Sequence, residues 1–164
     1  MKKTRVAVLG STGSIGVNTL DVVRRHYRHF EVVLLSAFNN VAVLESQIRE
    51  FRPRRVALLK EHVHALKAKI AGKVKFFDVK TDLAALVAES DVDIVVLAMP
   101  GAVALGPFLS AVRAGKTVAP ANKEALVMAG DIIMKAARKN KASVIPVDSE
   151  QSAIFQSLQG HRRK

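Results

Sequence analysis

Two carboxylates, Asp148 and Glu150, stand two residues apart where an apolar run gives way to a helical pattern, in VIPVDSEQSAIFQ. Acids at that spacing can converge on one hard cation, Mg²⁺ or Mn²⁺, which takes oxygen ligands and keeps water or substrate oxygens in its other positions. Two protein ligands make an incomplete site of this kind. The same residues also suit a structural role, with Asp148 capping the helix and Glu150 favouring the positive end of its dipole. The residue types leave both readings open.

Near the other end, Gly10-Ser-Thr-Gly13-Ser-Ile-Gly16 sets glycines at steps of three, after an apolar run and inside the start of a helical pattern. Lacking a side chain, Gly10 can turn tightly, Gly13 can admit a pyrophosphate to the backbone, and Gly16 can let the helix pack on the strand. The amides freed at the helix start then face the phosphates. A strand before and a helix after are the context that dinucleotide binding requires of such a loop. The second strand ends in Ser36-Ala-Phe-Asn-Asn40, without the acid that grips ribose hydroxyls in NAD sites. An acid would repel a 2′-phosphate, so its absence favours NADP, although no Arg or Lys sits in that loop.

A third stretch, Pro120-Ala-Asn122-Lys123-Glu124, also follows a strand. Asn122 suits a helix cap and Glu124 a first turn, whereas Lys123 opposes the positive end of the helix. A residue that breaks a local rule at the ligand edge of a sheet is a site candidate; the alternative is a solvated lysine.

The elements that must position these residues alternate. β-Branched runs at 5–9, 32–37, 55–59, 74–77, 94–98, 117–119 and 143–147 read as buried parallel strands. Helical patterns fall at 15–26, 41–51, 61–71, 81–89, 102–114, 123–140 and 149–158. The alternation predicts an α/β fold with a doubly wound, mostly parallel sheet of seven strands and helices on both faces. At 164 residues and 49% hydrophobic, the chain can bury one core. The absence of Cys excludes a disulfide framework and a thiolate metal site.

Lys and Arg number 26 against 14 acids, a net charge of +12 that attracts anions. Most of these cations sit at helix ends, where they complement the dipole. No aromatic residues are interleaved with them, which argues against a single-stranded nucleic-acid platform. The histidines, His26, His29, His62, His64 and His161, read as solvated; His62 and His64 point apart on a helix. The apolar run at the amino end is too short for a signal peptide and no stretch has membrane-spanning length. A cytoplasmic protein without nucleic-acid or membrane partners is expected.

Together, GSTGSIG with TLDVV, then PGAVALGPFLSAVRAGKTVAPANKEALV, then PVDSEQSAIFQSL resemble the 1-deoxy-D-xylulose 5-phosphate reductoisomerase family, from about residue 5 to 158. The resemblance implies a Rossmann-like domain and an NADPH-dependent enzyme of the non-mevalonate isoprenoid pathway. Such an enzyme isomerises a phosphorylated ketose and reduces the product to 2-C-methyl-D-erythritol 4-phosphate. It further implies that Thr12, Gly13, Ser14 and Ile15, with Gly10, hold the pyrophosphate and that Asn40 lies near the adenosine ribose. Asn122 and Glu124 match cofactor contacts, and Lys123 and Ser149 match substrate contacts. Asp148 and Glu150 match metal ligands for Mg²⁺ or Mn²⁺, with Glu150 also touching substrate; Lys123 and Glu150 are the catalytic candidates.

The chain departs from the family at Phe38 and Asn39, where a glycine and often a basic residue are usual, and at Gln151, where His is common. Family chains are more than twice as long, and carry a third metal carboxylate, a substrate-phosphate site, a lid and a C-terminal helical domain. The expected division is therefore an NADPH-binding domain at 1–147 and the start of a catalytic, metal-binding region at 148–164, inactive alone, with a homodimer expected of the complete enzyme. A different two-domain dehydrogenase, acting on a semialdehyde or homoserine, would leave NKE and DSE without a role. A basic nucleotide- or nucleic-acid-binding module without catalysis is the non-enzymatic alternative.

Overall fold

The computed structural model describes residues 2–121 and 123–159. The apolar runs form strands β1 (Thr4–Leu9), β2 (Phe30–Ser36), β3 (Arg55–Leu58), β4 (Lys75–Asp78), β5 (Ile94–Leu97), β6 (Thr117–Pro120) and β7 (Ser143–Val144). The helices are α1 (Ser14–Arg25), α2 (Val41–Phe51), α3 (Lys60–Lys69), α4 (Leu83–Ala88), α5 (Leu105–Arg113), α6 (Glu124–Lys139) and α7 (Ser149–Leu158). Every strand pairing is parallel, in the order β4-β3-β2-β1-β5-β6-β7.

Successive residues of β1 go to opposite faces of the sheet, and both faces are dry. Ala7 and Leu9 join a core made with α4, α5 and α6, through Leu83, Phe108, Val112 and Ile133. Val6 and Val8 join a second core made with α1, α2 and α3, through Leu20, Leu44, Ile48 and Leu66. Burial on both faces is why the strands read as continuous apolar runs rather than alternating ones. This is the doubly wound, Rossmann-like arrangement with helices on both faces. The chain builds outward from β1 to β4, then returns to β5 on the other side of β1 and builds outward to β7. Ligand crevices in such sheets open at that reversal, beyond the carboxyl ends of β1 and β5.

Several boundaries differ from the sequence pattern. The pattern over 102–114 divides into a 3-10 turn at Ala102–Ala104 and α5, where Pro107 sits within the first turn that tolerates it. The pattern over 81–89 shortens to α4, because residues before it form a turn in which the Asp82 carboxylate accepts from the Asp78 amide at 2.9 Å. The helix expected over 123–140 begins at Glu124 and is kinked at Ala129 (φ −145°, ψ 25°), next to Gly130. The regular last strand stops at Val144 instead of 147, although the Ile145 and Val147 amides still donate to the Val118 and Pro120 carbonyls at 2.9 and 3.1 Å.

Some apolar surface stays uncovered. Val6, Ile15, Val22, Ile94, Val96 and Val147 line an open groove of about 420 Å³ between α1 and the sheet. Val127 and Ile132 on α6 and Ile154 and Leu158 on α7 are exposed. Among the described residues no helix is long and apolar enough to cross a membrane.

Candidate functional site

The glycine loop leaves β1 at the switch point. Gly10 has φ +80°, and a Cβ there would stand 2.6 Å from the Ala98 carbonyl oxygen at the end of β5. Only glycine satisfies both conditions. A Cβ on Gly16 would collide with the backbone of Gly10 and Ser11, so α1 begins pressed against its own loop. Gly13 differs: its Cβ would come no nearer than 3.6 Å to the Gly10 oxygen. The exposed Gly13 is the N-cap, without a side-chain bond, and no acid lies in the first turn. The first bond of the helix ladder runs from the Val17 amide to the Gly13 carbonyl at 2.9 Å, leaving the Ser14, Ile15 and Gly16 amides without helical acceptors. An exposed helix start with free amides and no competing acid is suited to an anionic group.

Three polar side chains are buried among the described residues, Ser11, Ser36 and Gln47, and all three hold this loop. The Gly10 amide donates to the Ser36 carbonyl at 3.0 Å and lies 3.1 Å from its hydroxyl; the Ser11 amide donates to the same carbonyl at 2.8 Å. The Ser11 hydroxyl donates to Gln47 Oε1 at 2.7 Å, and Gln47 Nε2 donates to the Ser11 carbonyl at 2.8 Å. Two of these anchors, Ser36 and Gln47, lie far from the glycine motif in sequence. Gln47 did leave a signal, since it shares the core-facing stripe of α2 with Leu44 and Ile48.

Asn40 caps α2, its Oδ1 accepting from the Val43 amide at 3.2 Å, and it is exposed just beyond the carboxyl end of β2. Phe38 turns inward and packs on the core of the α4–α6 face. Asn122 lies outside the described residues. Lys123 is the N-cap of α6 and Glu124 its first residue; both side chains are exposed.

Backbone bonds tie the far loops into the same edge. Ala98 donates to Leu9, Ala121 to Leu97, and Val147 to Pro120, at 2.8, 3.0 and 3.1 Å. Asp148 and Glu150 are thereby held beside the Lys123 loop. The Ser149 hydroxyl donates to Glu150 Oε2 at 2.8 Å. The Glu150 backbone amide, that hydroxyl and the Lys123 charge hold the Glu150 carboxyl below its ordinary range, against a smaller opposing effect of burial. Asp148 is the N-cap of α7, but its side chain accepts no bond from the helix. Its Oδ1 is buried without a hydrogen-bond partner. A cap residue that accepts no helix bond and buries an unpartnered oxygen is a position at which a cation could be held. The donors are hard carboxylate oxygens, appropriate to Mg²⁺ or Mn²⁺. Among the described residues no three His, Cys, Asp or Glu side chains gather into a fuller cluster. His26, His29 and His64 are exposed and His62 is half-buried; His161 lies outside the described residues.

Residues 6–130 match the family model for 1-deoxy-D-xylulose 5-phosphate reductoisomerase. The chain belongs to that family. It is 47% identical over 163 residues to the 1-deoxy-D-xylulose 5-phosphate reductoisomerase of Chlorobium phaeobacteroides, covering 97% of this chain and 42% of that protein. Among solved structures, a DOX-P reductoisomerase in complex with NADPH, fosmidomycin and magnesium superposes with a TM-score of 0.91 at 36% identity, over 96% of this chain and 39% of its own. The Zymomonas mobilis reductoisomerase in complex with NADPH gives a TM-score of 0.88 at 36% identity, over 94% and 41%. The chain thus spans about two fifths of the length of the family members it matches.

Proposed function

We propose that this chain is the NADPH-binding part of a reductoisomerase that converts 1-deoxy-D-xylulose 5-phosphate to 2-C-methyl-D-erythritol 4-phosphate with a divalent cation. One observation carries the reading: a loop with unclaimed helix amides meets, at one end of one sheet, two acids that no arginine among the described residues neutralises. The family and the NADPH and magnesium complexes of its members support the same assignment.

In this reading Gly10, Thr12, Gly13, Ser14 and Ile15 receive the pyrophosphate, Asn40 faces the adenosine ribose, and Asn122 and Glu124 complete the dinucleotide contacts. Residues 1–147 form the cofactor domain and 148–164 open the catalytic region. Asp148 and Glu150 hold the Mg²⁺ or Mn²⁺, while Lys123, Ser149 and Glu150 take the phosphorylated ketose. When bound, the dinucleotide supplies hydride and the cation polarises the carbonyl. Ser149 steadies Glu150 through its hydrogen bond, and the low Glu150 pKa keeps that ligand ionised. Lys123 offers a cation to the substrate's oxygens.

Two carboxylates leave most of a hard cation's shell to other donors, so turnover is ascribed to the complete, homodimeric family enzyme in the cytoplasm and not to these 164 residues alone. No nucleic-acid or membrane partner is assigned. In support, Arg5, Arg24, Arg25, Arg49, Arg54 and Arg55 are engaged in ion pairs within the chain.

Calorimetric titration with NADPH and NADH, with and without Mg²⁺, tests the proposal. Saturable NADPH binding, weaker NADH binding and little dependence on Mg²⁺ are expected. No binding of either dinucleotide would remove the cofactor assignment. In the complete enzyme, Glu150→Ala should keep NADPH binding and lose metal-dependent turnover; full turnover would remove the metal assignment.

A further inference from the structure

We infer that Gln47 is a positioning residue that sets the spacing between the pyrophosphate loop and the ribose-facing start of α2. The inference rests on the cofactor reading above and adds a residue that touches no ligand. Gln47 and Ser11 lie 36 positions apart in sequence and exchange two bonds, hydroxyl to Oε1 at 2.7 Å and Nε2 to carbonyl at 2.8 Å. Both are buried, so water does not compete for either bond. Ser11 is the residue between Gly10 and Thr12, and Gln47 belongs to the helix whose N-cap is Asn40. The pair therefore spans the two places where one extended ligand must make contact at once.

The geometry explains why an amide stands on an apolar stripe. Ser11 presents one donor, its hydroxyl, and one acceptor, its carbonyl, toward α2. Only a side chain with an acceptor and a donor side by side answers both, and a primary amide does so at any ordinary pH. Ser36 holds the loop from β2, through the Gly10 and Ser11 amides. That bond fixes the loop to the sheet. Gln47 fixes it to the helix, which is the relation that determines the pyrophosphate-to-ribose distance.

The test uses the 164-residue chain and two ligands, NADPH and adenosine 2′-phosphate, which carries the ribose phosphate and no pyrophosphate. In Gln47→Leu, NADPH binding should weaken about tenfold, as expected for losing a buried polar pair, while adenosine 2′-phosphate keeps its affinity. An equal loss for both ligands, in step with lower thermal stability, would make Gln47 a structural residue and overturn the assignment. Gln47→Glu supplies a second readout. Its carboxyl can donate to the Ser11 carbonyl only when protonated, and burial favours that form. NADPH affinity relative to wild type should therefore be near normal at about pH 6 and fall by about pH 9. A ratio that stays flat would overturn the assignment even if the leucine variant failed to fold. Wild-type chain that takes up no NADPH would instead overturn the cofactor reading itself, and this assignment with it.

Discussion

At the amino ends of the strands, Asp93 accepts from the Arg5 amide, Nε and Nη2 at 2.7–2.9 Å, and Asp91 and Glu31 pair with Arg54 and Arg55. At the carboxyl ends, Asp148 buries an oxygen with no partner, and Glu150 is met by an amide, a hydroxyl and the charge of one lysine. The same kind of side chain is fully paired at one end, while at the other the buried Asp148 oxygen has no partner. Acids that complete their contacts within the chain contribute stability. Acids that do not are a cost, which a bound cation would offset.

Substitutions at the two ends should therefore differ in size and in kind. The largest effect is expected where the carboxyl end is tightest. Gly10→Ala must place a methyl 2.6 Å from the Ala98 oxygen at φ +80°, which should destabilise the chain by about 2–4 kcal/mol in urea unfolding. A loss below half a kcal/mol would mean that the loop is looser than its contacts imply.

Next comes Asp93→Ala, which strands the half-buried Arg5 and should cost about 2 kcal/mol. Its effect should depend on acid. The side-chain bonds from Arg5, helped by its amide and charge and opposed by burial, hold the Asp93 carboxyl down at about 2. A depressed carboxyl contributes stability that is complete above its unfolded pKa, about 4. That contribution is lost as pH falls through about 2 in the folded state. With the side chain 38% exposed, solvent screening reduces this contribution to about 1 kcal/mol. The stability gap between wild type and variant should narrow by that amount on acidification, and a constant gap would contradict the pairing.

The smallest stability effect is expected at Asp148. Asp148→Ala removes an orphaned oxygen together with a favourable charge at a helix start, so urea unfolding should move by less than about 1 kcal/mol. Any Mg²⁺ binding to the chain should vanish in the same variant. A loss of two or more kcal/mol would make Asp148 a structural cap after all.

Legibility in the sequence followed the range of each interaction. The glycine loop is local: its spacing, the strand before it and the helix after it lie within a few residues of one another, and all three were visible. So was the DSE pair, because a strand end and a helix start delimit it. Strand alternation revealed the α/β class, since burial on both faces leaves apolar runs. What lay hidden is long-range. Arg5 and Asp93 are 88 positions apart, and Ser11 and Gln47 are 36 apart. Nothing near either partner names the other, and at Gln47 only a polar residue on a buried stripe marked the place. Asp148 shows the remaining limit. Its type and position suit a cap, and only the three-dimensional course of the side chain reveals that it accepts no helix bond.

The proline after β7 has a bearing on what can lie alongside it. Ile145 donates to Val118 and Val147 to Pro120, so the amide of residue 146 would point away from β6, toward the side of β7 on which no strand lies among the described residues. Pro146 has no amide to offer there. Any strand laid along this side of β7 would find a missing donor and a ring in its way at Pro146.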